Sequence, residues 1–332
     1  MGHWMRTGIL LMGVMAALPA TAPGRSPQAR RTATYTNPVW GADFPDPHII
    51  RWKGKYYAYA THSGPGGFQV MESPDLVRWT HKGGCFEPPW SGEHLWAPEV
   101  TIYRGKFYMT YSAMNQQTRK HDIGIAVASH PLGPFEHRAI LVRAGTNRVG
   151  VIDTTVFFDR DKKPYLLYTE EEPRRIVIRS MADDLLSVRD DLTILVQPDH
   201  PRERGVTEAP TLIHRNGIYH LFFSIGWFQS NKADACYAVA HATSRNLRGP
   251  YVKSQELVLQ TVPGKVYGPG HQCIITTPGG QMWMAYHGWD DRNEPRYGSN
   301  PVGRTLRIER LFWRGDAPYV NGPSTTPQPR PR

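Results

Sequence analysis

Three carboxylates and a histidine, Asp46, Asp153, Glu208 and His271, each stand at the head of a short apolar stretch. Asp46 precedes Pro47-His48-Ile49-Ile50, Asp153 precedes Thr154-Thr155-Val156, Glu208 precedes Ala209-Pro210-Thr211-Leu212, and His271 precedes Gln272-Cys273-Ile274-Ile275. If a fold gathers them at one place, the carboxylates repel and raise one another's proton affinity. Such clusters serve chemistry, a cation, or both, because keeping like charges together is otherwise unfavourable. Residues so far apart in the chain meet only if the elements behind them repeat.

The elements do repeat. Each head is followed by a turn and an aromatic strand: Gly54-Lys55-Tyr56-Tyr57, Lys163-Pro164-Tyr165, Gly217-Ile218-Tyr219 and Gly280-Gln281-Met282-Trp283. A fifth copy begins at Ala97-Pro98-Glu99-Val100 and leads to Gly105-Lys106-Phe107-Tyr108. Successive heads lie 51, 56, 55 and 63 residues apart, the spacing of stacked β-units or propeller blades. In a linear solenoid Asp46 and Glu208 would stand several units apart, with no shared partner. In a ring, the innermost strand of every blade starts near the axis. The expected fold is therefore all-β, a five-bladed β-propeller. About four strands are legible in the first unit: His48 to Trp52, Tyr56 to Thr61, Phe68 to Glu72, and the segment closing at Trp79. At the join, either residues 304–313 or Asn37-Pro38-Val39 completes the last blade.

Five such blades occupy residues 35–322 of the 332 and leave no room for a second folded domain. Residues 1–24 have the pattern of a secretory signal peptide, with a basic residue, an apolar run from Ile9 to Leu18 and the small-residue stretch Ala20-Thr21-Ala22. That run is too short to span a bilayer, so the expectation is a secreted or periplasmic protein with no membrane association after signal removal. Residues 25–34 read as a basic flexible segment and 323–332 as a Pro/Arg-rich tail. The formal charge of +10 is spread over turns and ends and is accompanied by no recognition motif, so nucleic acid is not an expected partner. Cys85, Cys236 and Cys273 are odd in number, match no metal spacing and carry no assigned role.

At these residues the chain resembles glycoside hydrolase family 43, the five-bladed propellers that include arabinanases, α-L-arabinofuranosidases and β-xylosidases. The resemblance rests on Asn37-Pro38-Val39 followed by Phe44-Pro45-Asp46-Pro47, on Trp96-Ala97-Pro98-Glu99, on Ile152-Asp153, on Glu208-Ala209-Pro210 and on Gly268-Pro269-Gly270-His271. Each phrase alone is weak; in this order and at blade spacing they are specific. The resemblance implies that Asp46 is a general base activating water, Glu208 a general acid protonating the leaving oxygen, and Asp153 a third carboxylate that orients the acid and keeps it protonated. The chemistry agrees, since glycoside cleavage needs two carboxyls in opposite protonation states, about 6.5–9.5 Å apart when configuration inverts. His271 matches a channel histidine near which many family members hold calcium, partly through water. A lone imidazole is an unusual direct ligand for that ion. Arg304 resembles a position that reaches the sugar hydroxyls, and Trp96 and Phe44 stand where an aromatic face could stack on a sugar ring. Strand alternation turns Glu99 to the same side as Ala97, toward the channel.

The expected activity is an inverting glycoside hydrolase releasing pentosyl units, foremost α-L-arabinofuranosyl from arabinan or arabinoxylan, with plant cell-wall polysaccharide or oligosaccharide as partner. A β-xylosidase of the same family is the close alternative. Residues 323–332 form a short tail instead of the carboxy-terminal sandwich of many such xylosidases, which leans the expectation toward arabinose. Internal arabinan cleavage is disfavoured because Gly150-Val151-Ile152-Asp153-Thr154 departs from the Asn-Ala-Ile-Asp-Pro phrase of endo-acting members. A non-catalytic polysaccharide-binding propeller would not need acids on separate blades, and a retaining enzyme would hold its pair only about 5–5.5 Å apart.

Overall fold

Tight turns and half-buried aromatic strands dictate hairpins, and the computed structural model, which describes residues 1–2, 33–62, 66–91, 93–145, 150–229, 232–290 and 303–332, contains little else. The expected signal peptide lies outside the described residues. A short amino-terminal strand, β1 (Thr34–Tyr35), precedes the first blade, β2 (His48–Trp52), β3 (Lys55–Ala60), β4 (Phe68–Ser73) and β5 (Thr80–Phe86). Blade two is β6 (Trp96–Tyr103), β7 (Lys106–Met114), β8 (His121–Ala128) and β9 (Glu136–Val142). Blade three is β10 (Val151–Phe158), β11 (Pro164–Glu171), β12 (Arg174–Ser180) and β13 (Thr193–Val196). Blade four is β14 (Thr207–Arg215), β15 (Ile218–Ile225), β16 (Ala238–Ser244) and β17 (Val252–Lys253). Blade five is β18 (Val266–Thr276), β19 (Met282–Asp290), β20 (Thr305–Arg314) and β21 (Ala317–Val320), and β22 (Gln328–Pro329) follows it.

Each blade is a four-stranded antiparallel sheet in chain order. The hairpins joining first and second strands at Lys53-Gly54, Arg104-Gly105 and Asn216-Gly217 have positive φ at both central residues. That geometry matches the right-handed twist of the flanking strands. Apolar side chains from the two faces of each sheet meet those of its neighbours in five clusters. One joins blades one and two (Tyr57, Tyr59 with Phe107, Met109), one blades two and three (Ile123, Ile125 with Leu166, Tyr168), and one blades three and four (Leu167, Ile176 with Leu212, Leu221). Another joins blades four and five (Phe222, Val239 with Met284, Tyr286). The last joins blade five back to blade one (Ile49, Ala58, Met71 with Trp283, Leu306, Ile308). A linear stack would lack that last seam, so the repeat closes into a ring, the five-bladed β-propeller expected of it.

Both candidates for the join take part. β20 supplies the third strand of blade five, while Val39 and Trp40 bond to Leu306 on it. Asn37 donates to Ile308 O at 2.8 Å and accepts from Ile308 N at 3.0 Å. Residues 323–332, expected as a tail, are bonded to the propeller. β22 pairs with β1, Arg330 reaches Asp75 of blade one at 3.1 Å, and Arg332 bonds to Gln281 of blade five at 3.1 Å. The three cysteines form no disulfide, and Cys85 and Cys273 are buried.

Candidate active site

The head of each inner strand carries an irregularity that sequence alternation cannot reveal. Asp46, Ala97, Asp153, Ala209 and His271 all have φ between 46° and 55°, in the left-handed region. Non-glycine residues adopt it at a cost, and they cluster at bulges and functional sites. The pairing registers slip at this point in blades two to five, as a β-bulge requires. The structurally equivalent heads are thus these five residues. In blade four the head is Ala209, and Glu208 stands one residue earlier, level with Pro45, Trp96, Ile152 and Gly270 of the other blades. The sequence pattern placed Glu208 as the head because a one-residue bulge leaves polarity unchanged.

In four blades the amide of the head is held from the second strand of the preceding blade or the residue just beyond it. Asp46 N–H donates to His287 Nδ1 at 3.1 Å, Ala97 N–H to Thr61 Oγ1 at 2.9 Å, Asp153 N–H to Ser112 Oγ at 3.1 Å and His271 N–H to Ser224 Oγ at 2.8 Å. Blade four departs from this rule. Its expected partner is Thr169, which pairs with Ile152 as Ser112 pairs with Trp96. Instead, Ala209 N–H donates to Asp153 Oδ2 at 3.1 Å, and the buried Thr169 hydroxyl is left with no hydrogen bond. The third carboxylate has taken over a backbone bond next to Glu208 and so fixes the chain from which that acid projects.

Asp46, Asp153, Glu208 and His271 are all buried and meet at this end of the ring. Asp46 Oδ1 accepts from Arg304 Nη1 at 2.8 Å and lies 3.3 Å from His271 Nδ1, while Oδ2 accepts from the Thr61 hydroxyl. Burial opposes its charge. Arg304, His271 and His287 together outweigh burial and hold the carboxyl well below the usual range. His287 Nδ1 accepts the Asp46 amide and lies 3.2 Å from Asp46 Oδ1, and burial lowers the pKa of its ring to about 3.

Glu208 is set the other way. Its Oε1 accepts from Tyr237 Oη at 2.8 Å and Oε2 from Arg174 Nη1 at 3.0 Å. Burial raises its pKa, Arg174 and Tyr237 oppose that, and Asp46 and Glu171 add to the rise, so the net shift is upward. Asp153 is raised well above the ordinary range by burial and then by Glu208 and Asp46. One carboxyl of the site is therefore held as an anion, and the other two favour holding a proton. Tyr237 stacks parallel on His287, with ring centroids 5.6 Å apart. Gly270 makes room for it, since a Cβ there would come within 2.3 Å of the Tyr237 ring.

Of the remaining expected residues, Arg304 is a direct partner of Asp46 and lies over the Phe228 ring at 4.7 Å. Trp96 is partly buried against His121, with ring centroids 3.9 Å apart. Phe44 is wholly buried in the seam between blades five and one. It exposes no face to a sugar, and the stacking expected of it is corrected to core packing. Glu99 accepts from the Thr155 hydroxyl and lies 3.8 Å from His48 Nε2, and burial pushes its pKa up to about 8. The sequence reading did not single out Thr61, Ser112, Ser224 and His287, yet each lies close to the end of a second strand, sixteen or seventeen positions after the residue preceding its own blade's head. That spacing is the signal that would have found them. Arg174 and Tyr237 carry no such signal.

Calcium takes six to eight oxygen ligands. Among the described residues no three His, Cys, Asp or Glu side chains are grouped to hold a metal, and Arg304 brings a positive charge near His271. The described side chains alone do not supply a calcium coordination sphere there.

The family model described as Glycosyl hydrolases family 43 matches residues 35–318. The solved structure of a thermostable family-43 glycoside hydrolase is 32% identical, with a TM-score of 0.80 over 90% of this chain and 99% of that one. The extracellular endo-alpha-(1->5)-L-arabinanase 1 of Bacillus subtilis (strain 168) is 26% identical over 259 residues, 71% of this chain and 79% of that protein. A putative beta-xylosidase of Xylanibacter ruminicola is 26% identical over 297 residues, 86% of this chain but only 50% of that protein, so this chain spans half its length.

Proposed function

The chain belongs to glycosyl hydrolase family 43, and from that membership we propose an exported, inverting glycosidase that releases pentosyl units, foremost α-L-arabinofuranosyl from arabinan or arabinoxylan. The arabinanase relative supports the arabinose assignment, and the putative beta-xylosidase supports a β-xylosyl substrate as the second reading. The observation that carries the reading is the unequal charging of two carboxyls at one site. Asp46 is kept anionic by Arg304, and Glu208 is pushed toward its protonated form by burial and by neighbouring acids.

In this reading Asp46 takes a proton from water as the water oxygen attacks the anomeric carbon. Glu208 gives its proton to the glycosidic oxygen as the bond to that carbon breaks. The sugar leaves with inverted configuration, Asp46 protonated and Glu208 ionised, and proton exchange with solvent restores both. Asp153 supports the acid by holding the Ala209 amide. Arg304, beside Asp46, would reach the hydroxyls of the bound sugar, and Trp96 would stack at the rim.

The test is a panel of aryl α-L-arabinofuranosides, aryl β-D-xylosides and linear oligosaccharides, followed by proton NMR of the first-formed sugar. The expected outcome is preferred release of arabinose, in the anomeric configuration opposite to the substrate's. Preference for xylosides would move the assignment to the second reading. A product of retained configuration would make one carboxylate a nucleophile and remove the roles given to Asp46 and Asp153.

A further inference from the structure

Arg174 opens β12 on blade three and reaches across to the acid of blade four. Its Nη1 donates to Glu208 Oε2 at 3.0 Å, its Nη2 donates to Glu171 Oε1 at 3.1 Å, and its guanidinium lies over the Trp227 ring at 4.8 Å. Glu171 is fixed in turn by His121, whose Nδ1 lies 3.1 Å from Glu171 Oε2. The Arg174 and Glu208 side chains are only 15% and 6% exposed, so solvent and salt screen this pair far less than a surface pair.

A guanidinium on the proton donor is not required by two-carboxyl cleavage. It favours the ionised form, the opposite of what a proton donor needs, so its presence calls for a reason. The surroundings supply one. Glu208 is faced by Asp153 from β10, Asp46 from blade one, Glu171 from β11 and the Tyr237 hydroxyl from the segment before β16. Arg174 is the cation set among these acids, and Arg304 stands on the Asp46 side. Without Arg174, burial and three neighbouring acids would leave Glu208 too reluctant to part with its proton, and Tyr237 alone would hold its plane.

We propose that Arg174 is a positioning residue for the reaction, a cation shared between Glu208 and Glu171 that fixes the plane of the acid's carboxyl and limits how tightly it holds its proton. Glu171 and Trp227 keep the guanidinium in place, so that it does not follow the carboxyl toward the substrate. The inference rests on the reading of Glu208 as the acid.

The pH profile of kcat/KM tests it. The reactive form of Glu208 is protonated, so the alkaline limb falls where Glu208 ionises. Removing the cation raises that point. R174Q should move the alkaline limb up by about one pH unit, a tenfold change in proton affinity, and R174K should bring it back toward the parent. Glu99 also titrates near that range, but it bonds to Thr155, away from Arg174, and contributes equally to parent and variant. A purely structural Arg174 would lower activity at every pH and leave the limb in place, which would overturn the proposal. Should R174Q not fold, E171Q gives the opposite arm. It leaves the cation to Glu208 alone and should move the limb down; an upward or absent shift overturns the proposal. E208Q separates this inference from the assignment beneath it. If Glu208 is the acid, E208Q loses far more activity on oligosaccharides than on aryl glycosides with good leaving groups. Equal losses on both would overturn the acid role and this inference together. A loss selective for poor leaving groups, with an unmoved R174Q limb, would overturn the role of Arg174 alone.

Discussion

Asp46 owes its charge to a small number of atoms, and Arg304 Nη1 at 2.8 Å is the one that brings a full counter-charge to it. Burial lowers the pKa of the two nearby imidazoles. The sign of a substitution follows directly. In the proposed reaction the working form of Asp46 is the carboxylate, and its pKa is held well below the ordinary range, so activity should persist to low pH. R304Q removes the positive charge and lets burial dominate. The acid limb of kcat/KM should move to higher pH by about one to two units. If Arg304 served only to bind sugar, KM would rise at all pH values and the limb would stay where it is.

Among the elements, the seam between blades three and four is the one that breaks the rule kept by its neighbours. Ser112 and Ser224 each satisfy the amide of the next blade's head, while Thr169 satisfies nothing because the Asp153 carboxylate has displaced it. S112A and S224A should each cost about 1–2 kcal/mol by stranding a buried N–H. T169V should be neutral or slightly stabilising, since it removes a buried hydroxyl that has no partner. Urea unfolding of the three variants would show the contrast, and equal losses would mean that Thr169 is bonded after all. The sequence carried the blades, their number and four of the five left-handed heads, because strand length, turn residues and polarity at strand starts are local properties. It misplaced the fifth at Glu208, since a bulge changes φ and register without changing composition. It misjudged Phe44 because a residue two positions from an acid, in the connection leading into β2, can face either the pocket or the adjoining sheet. It passed over Arg174 and Tyr237, whose importance comes from packing between blades and has no nearby counterpart in the chain.

For the whole molecule, the ring is covalent through the loops between successive blades and non-covalent where blade five meets blade one. That closure is spread over the β1–β22 pair, the Asn37 bonds to Ile308, the Trp40–Leu306 bridge and the Arg330–Asp75 ion pair. Deleting residues 325–332 removes the first and last of these and leaves the others. The expected loss is about 2 kcal/mol, or roughly 3 °C in the thermal midpoint of a fold this long, read by calorimetry. An unchanged midpoint would mean that the inner bonds alone close the ring. The position of Asp46, the proposed base, adds something to this. Asp46 belongs to blade one, but Arg304, His271 and His287, which surround its carboxyl, all belong to blade five. The charge of Asp46 is therefore assembled across the one joint that no peptide bond secures. With Asp46 as the base, parting the two blades would take its counter-charge away before any strand melts, so the closure would act as an interlock on the chemistry, and a propeller sprung at its joint should stop cleaving while most of its sheet is still folded.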